Sequence, residues 1–243
     1  MSDSAFYGII RIGDNMCGRF TVNYTYEQML EYLHKEYSIF DFDFQLPRYN
    51  VAPGQHVLSI IFDGENYRAC TFKWGLVPPF SIDDKTGYKM INARSESIEE
   101  KASFKDSFYQ KRCIIMSDGF YEWDKVTGSN KPYYITFDEH KLLGYAGIWS
   151  KCVKEGKSLY TCSIITTNAN TKIRSIHERM PVVLDTDNAK KWLGINNDVK
   201  YLKRLLTVYP SDRTNMIEVS KKVNKVDNDD PSLIEEHQEY TLF

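Results

Sequence analysis

Residues 112–123 read RCIIMSDGFYEW, a run of β-branched and aromatic residues that predicts a strand rather than a helix. Five further runs share its character: HVLSIIFD (56–63), YRACTFKW (67–74), KPYYITF (131–137), LLGYAGIW (142–149) and SLYTCSIITT (158–167), bounded by turn-rich stretches such as DGEN and VTGSN. Helical spacing is scarcer. YEQMLEYLHKEY (26–37) sets Met29, Leu30 and Leu33 on one stripe, extended by Tyr26 and Tyr37. DTDNAKKWL (185–193) and DVKYLKRLL (198–206) read as two neighbouring helices, the first capped by Asp185 or Thr186. Successive strands with a few helices between them, without strict alternation, predict an α+β fold: a curved mixed or antiparallel, barrel-like sheet core with flanking helices.

At 243 residues, 42% hydrophobic and 26% charged, the chain has enough apolar material for one full core, and a single domain over 16–243 is expected. No stretch approaches the roughly 18 apolar residues of a membrane span, and the early run FYGII is too short for a secretory signal core. Five cysteines without a CxxC pair fit a reduced cytoplasmic chain better than a disulfide scaffold. His34, His56, His140, His177 and His237 form no ligand spacing with them, so neither a metal nor a cofactor is expected. The net charge is −2, but Asn224–Phe243 holds six acids against one lysine. The body before this acidic tail is therefore mildly positive, which permits a local basic groove without demanding one.

Four stretches set polar groups among residues that would otherwise be buried: MCGRF (16–20), INARSES (91–97), DGFYEW (118–123) and IHERMPVVL (176–184). They single out Cys17, Asn92, Glu122 and His177. A carboxylate buried between Tyr121 and Trp123 costs several kcal/mol unless paired, which is the setting in which a carboxyl moves protons near neutral pH. Each has an ordinary alternative as well. Cys17 could be an inert small hydrophobe, Glu122 a rim residue facing water, His177 a ring satisfied by a carbonyl, and Asn92 with Arg94 a turn closure.

Taken in order, MCGRF, PRYNVAPGQ, WGLVPPF, INARSES, GFYEW, TTNAN, IHERMPVVL and VSKKVN…LIEE resemble the SOS-response-associated peptidase family, also described as abasic-site processing proteins. The resemblance runs from Met16 to about Glu236. It implies a sensor of abasic sites in single-stranded DNA that is crosslinked to the lesion through an N-terminal cysteine, with associated lyase and self-processing activity. By resemblance Cys17 supplies amine and thiol, Glu122 shuttles protons, His177 acts on the sugar oxygen and in strand cleavage, and Asn92 orients the terminus or the sugar. Arg19 and Arg94 are expected on phosphates, Trp74, Phe80 and Trp123 against bases, and Pro53 along the same edge. Phe80 stands where the family has tryptophan.

An N-terminal cysteine carries two nucleophiles, an α-amine with a reference pKa of about 7.7–8.0 and a thiol that can close a five-membered thiazolidine. Residues 1–15 would leave Cys17 without that amine, so they are expected to be a leader outside the working domain, a mis-assigned start or an artefact. The implied partner is single-stranded DNA with abasic sites, bound by a cytoplasmic monomer that is nucleoid-associated when on DNA and has no membrane contact. Two other classes remain open at this point: a cysteine peptidase using Cys17, His177 and Glu122, and a non-covalent single-stranded DNA-binding module.

Overall fold

A computed structural model describes residues 17–81, 83–138, 142–195 and 198–237. The first strands are β1 (Arg19–Val22), β2 (Arg48–Val51), β3 (His56–Phe62), β4 (Tyr67–Trp74), β5 (Asn92–Arg94), β6 (Arg112–Ser117) and β7 (Gly119–Trp123). They are followed by β8 (Pro132–Phe137), β9 (Leu143–Lys154), β10 (Lys157–Asn168), β11 (Arg179–Pro181), β12 (Val183–Leu184) and β13 (Thr214–Glu218). The α-helices are α1 (Tyr26–Tyr37), α2 (Ala102–Gln110), α3 (Thr186–Leu193) and α4 (Val199–Leu205). None of the helices is long and apolar enough to cross a membrane, among the described residues.

Pairings around the larger sheet return to their starting point. β10 pairs with β4, β4 with β3, β3 with β6, β6 with β9, and β9 with β10 again, so five strands close into a barrel. Only the β10–β4 contact is parallel, which makes the barrel mixed. Closure removes the open edges that a flat sheet of such apolar strands would expose. Segment 179–184 is wedged into the seam at one end of the barrel. β10 leaves β9 after Ile164 and pairs instead with β11, while β9 turns to β12.

RCIIMSDGFYEW is not one strand but two. Its first half is β6 of the barrel and its second is β7 of a five-stranded antiparallel sheet in the order β13-β8-β7-β1-β2. The break falls at Asp118, whose buried carboxylate accepts from the Thr21 hydroxyl at 2.8 Å and the Asn23 amide at 3.0 Å. Gly119 follows because any Cβ there would sit 2.6 Å from the Tyr134 ring. The chain thus crosses from one sheet to the other over a side-chain-bonded corner.

Phe20 ties the two sheets together. It packs edge-on against Trp74 of the barrel at 5.1 Å and against Tyr145 at 6.0 Å. Truncating so large a buried ring costs about 3–5 kcal/mol, so the strand that begins just after Cys17 is firmly seated. α1 forms where its apolar stripe predicts, between a Thr25–Gln28 capping box and a left-handed Ser38, burying Met29, Leu33 and Tyr37. Asp185 rather than Thr186 caps α3, whose Trp192 donates to the Cys113 carbonyl at 3.1 Å.

The acidic tail is not a free tail over its described part. Residues 219–237 strap across β2, β1 and β7, burying Val219, Val223 and Leu233 against Tyr121 and Tyr134. Asp229 accepts from the Asn50 amide at 2.9 Å and pairs with the Arg48 guanidinium. An acid of the tail therefore caps the exposed edge of β2.

Candidate functional site

Four residues from four separate elements meet beside the β1–β7 pair. Cys17 lies two residues before β1, Glu122 lies on β7, Asn92 begins β5, and His177 follows the 3₁₀ turn Ile173–Ser175 that leads into β11. Arg19 faces Tyr121 in the β1–β7 register, so the chain just before β1 runs beside Glu122. β5 and β11 both pair with β10, at Ile164–Thr166 and Thr166–Asn168 respectively. β10 therefore holds Asn92 and the His177 segment at one end of the barrel.

All four side chains are buried. The Cys17 thiol and the Glu122 carboxyl lie close enough for each to perturb the other's titration, and Nδ2 of Asn92 donates to the Cys17 carbonyl at 3.2 Å. Oε1 of Glu122 stands 3.7 Å from Nδ1 of His177, beyond hydrogen-bond range. Oε1 of Glu122 and Oδ1 of Asn92 have no hydrogen-bond partner among the described residues. The Arg179 amide donates to Nδ1 of His177 at 3.1 Å, which assigns the neutral ring's proton to Nε2. The same Nδ1 lies 3.2 Å from the Arg179 carbonyl, an acceptor for the protonated ring.

Burial sets the electrostatics. It pushes the Glu122 carboxyl above its ordinary range, against the lowering pull of His177 and of the neighbouring Cys17 thiol. Burial also pushes the Cys17 thiol well up, and the adjoining Glu122 charge adds to the rise, while Arg179 opposes it. The pair thus favours a protonated thiol beside a carboxyl poised to exchange protons, an arrangement unlike the exposed, electropositive surroundings that generate a resting thiolate.

Arg179 lies within IHERMP, yet sequence alone does not single it out. Its guanidinium makes a bidentate pair with Glu96, at 2.7 and 2.9 Å, and also donates to Oδ1 of Asn168 at 2.9 Å and to the Thr166 carbonyl at 2.8 Å. These bonds knit INARSES, TTNAN and IHERMP into one patch. The available signal was spacing: Arg179 lies two residues beyond His177.

The outer residues divide. Arg94 and Phe80 are exposed, the latter at 68%, while Pro53 and Trp123 are half-buried at the surface. Arg19 and Trp74 need correction as ligand contacts. Arg19 is 5% exposed, and its guanidinium is spent on Oδ1 of Asn50 at 2.8 Å and the Val223 carbonyl at 2.7 Å. Trp74 is 1% exposed, its indole donating to the Ile91 carbonyl at 2.8 Å. Neither offers a free face to a phosphate or a base. His140 and residues 1–15 lie outside the described residues.

A family model described as SOS response associated peptidase matches residues 16–226. The chain belongs to the SOS response-associated peptidase family. Among its relatives, "Abasic site processing protein YoqW" of Bacillus subtilis is 44% identical over 225 residues, covering 91% of this chain and 100% of that protein. "Abasic site processing protein HMCES" of Gallus gallus is 36% identical over 187 residues, covering 67% of this chain and 55% of that longer protein. A solved protein from Bacteroides thetaiotaomicron superposes with a TM-score of 0.70 at 27% identity, covering 78% of this chain and 85% of that one. The SOS response-associated peptidase motifs MCGRF, INAR, GFYEW and IHERMP are the stretches that supply the four clustered side chains.

Proposed function

We propose that this protein processes abasic sites in single-stranded DNA by forming a covalent crosslink through Cys17 as its N-terminal residue. The observation that carries the reading is the cluster itself: a buried cysteine whose carbonyl accepts from Asn92, beside the buried Glu122 carboxyl, with His177 3.7 Å from that carboxyl. The names of the curated relatives supply the substrate class.

The ring-opened abasic sugar presents an aldehyde. The Cys17 amine adds to its carbon, the carbinolamine loses water, and an imine remains. The thiol then adds to the imine carbon, forming the S–C bond as the C=N pair takes up a proton, which closes the thiazolidine with a net release of one water. Glu122 protonates the departing hydroxyl and accepts the thiol proton, tasks suited to a carboxyl whose pKa burial has raised. The unpartnered Oδ1 of Asn92 and Oε1 of Glu122 are acceptors suited to an amine or a sugar hydroxyl. His177 serves the sugar oxygen and the slower strand cleavage. Arg94 holds phosphate, and Phe80, Trp123 and Pro53 border the bases.

The chemistry requires a free α-amine, so residues 1–16 must be absent from the working protein. Start-site choice with methionine trimming, or self-processing by Cys17, would achieve that. A general cysteine peptidase is the weaker reading, because the buried thiol is held protonated and His177 adjoins Glu122. The test is incubation with an oligonucleotide bearing one abasic site, followed by a denaturing gel and intact mass. An adduct lost on Cys17→Ala is expected. Cleavage of a peptide without any DNA adduct, or an adduct formed by protein that retains residues 1–16, would overturn the proposal.

A further inference from the structure

The C-terminal strap reaches Trp123, the residue after Glu122, through one side chain. Asn224 ends the 3₁₀ turn Lys221–Asn224, and its Oδ1 accepts the indole N–H of Trp123 at 2.8 Å. Its backbone is fixed from the other side: Nη2 of Arg19 donates to the Asn224 carbonyl at 3.3 Å, and the neighbouring Val223 carbonyl accepts from Arg19 at 2.7 Å and from Asn50 at 3.2 Å. Asn50 also donates to the Lys225 and Asn228 carbonyls, at 3.0 and 2.7 Å. The strap thus delivers a rigidly mounted acceptor to a half-buried indole. Trp123 follows Glu122 in β7, with its side chain on the sheet face of Tyr121 and the strap.

We infer that Asn224 is a positioning residue that fixes the Trp123 indole by its edge, leaving a face of the ring for the nucleobase next to the lesion. The inference rests on the single-stranded DNA reading above and extends it to a segment more than two hundred residues from Cys17 in sequence. An indole bonded at Nε1 loses rotational freedom about its side-chain torsions, and that ordering is completed before the ligand arrives rather than charged to binding. Asn224 itself is exposed, so shortening it leaves the core and the Arg19–carbonyl bonds in place.

A double-mutant cycle tests this. The probe is a single-stranded oligonucleotide carrying a tetrahydrofuran residue, which has no aldehyde and so reports affinity without crosslinking. Asn224→Ala should raise Kd about two- to fivefold, the range of one partly solvated hydrogen bond. Trp123→Phe keeps an aromatic face but no N–H donor; in that background Asn224→Ala should have no further effect. Equal losses in both backgrounds would show that Asn224 acts only through the strap, and no loss in either would show that it does not act; both overturn the inference. Wild-type protein that neither binds this probe nor forms an adduct with an aldehyde-bearing abasic oligonucleotide would instead remove the DNA reading, and with it the ligand assigned to Trp123.

Discussion

Replacing Glu122 with glutamine separates its chemical role from its structural cost, because shape is kept while titration is lost. The carboxyl is 3% exposed, and burial raises its pKa despite His177 and Cys17. Each pKa unit of that rise is about 1.4 kcal/mol by which the folded state disfavours the ionised form. The unfolded chain ionises first as pH rises past the ordinary carboxylate range. The native state therefore loses stability from there up to the raised folded pKa, and above it the penalty stays constant. Glu122→Gln carries no such penalty. Its melting temperature should exceed that of wild type at pH 8, with the gap closing as pH falls toward 4. Crosslinking should slow about a hundredfold or more, the usual contribution of a positioned proton-transfer group, while affinity for a tetrahydrofuran oligonucleotide stays within about twofold. Thermal melts across pH and single-turnover adduct formation on gels provide the readings. A wild-type crosslinking rate in Glu122→Gln, or a stability gap that ignores pH, would refute the reasoning.

Arg94→Ala should weaken single-stranded DNA binding and reduce the slope of log K against log salt by about one, whereas Arg19→Ala should leave that slope unchanged and lower the urea midpoint, since its guanidinium is spent on acceptors within the fold. Asn92→Ala removes the bond to the Cys17 carbonyl and should slow adduct formation about tenfold without altering salt dependence, measured in the same gel assay. Activity should survive EDTA, and a loss restored by zinc would revise the donor chemistry. Phe80→Ala should raise Kd for the tetrahydrofuran oligonucleotide about five- to tenfold if its exposed ring stacks on a base, and unchanged anisotropy titrations would place it outside the contact.

Much of the fold was legible in sequence because periodicity is local. α1, β4 and β10 lie where their patterns place them, within a residue at either end. α2 escaped because Phe104 and Phe108 give it only two large apolar anchors and Lys101 provides no side-chain cap. β5 and β11 are three residues long, too short for an alternation, and exist because β10 offers them edges. The corner at Asp118 was hidden because its partners, Thr21 and Tyr134, are remote in sequence. The same reason governs the site. Cys17, Asn92, Glu122 and His177 were marked by ordered motifs, but the burial of Arg19 depends on carbonyls about two hundred residues away, and that of Trp74 on Phe20 and Ile91. A residue's type announces what it can bond; which partner it has found is a property of the closed sheets.

The wedge of residues 179–184 between β9 and β10 has a consequence for synthesis. Both strands leave the ribosome before the wedge, and continuing their register would set Thr166 opposite Tyr145, where the finished protein has β11 and β12 instead. Until residues 179–184 are seated, that further pairing of β9 with β10 is open to the chain, and the seated wedge excludes it. His177 lies two residues before the wedge, so the pairings that seat the wedge also hold that side chain in the pocket.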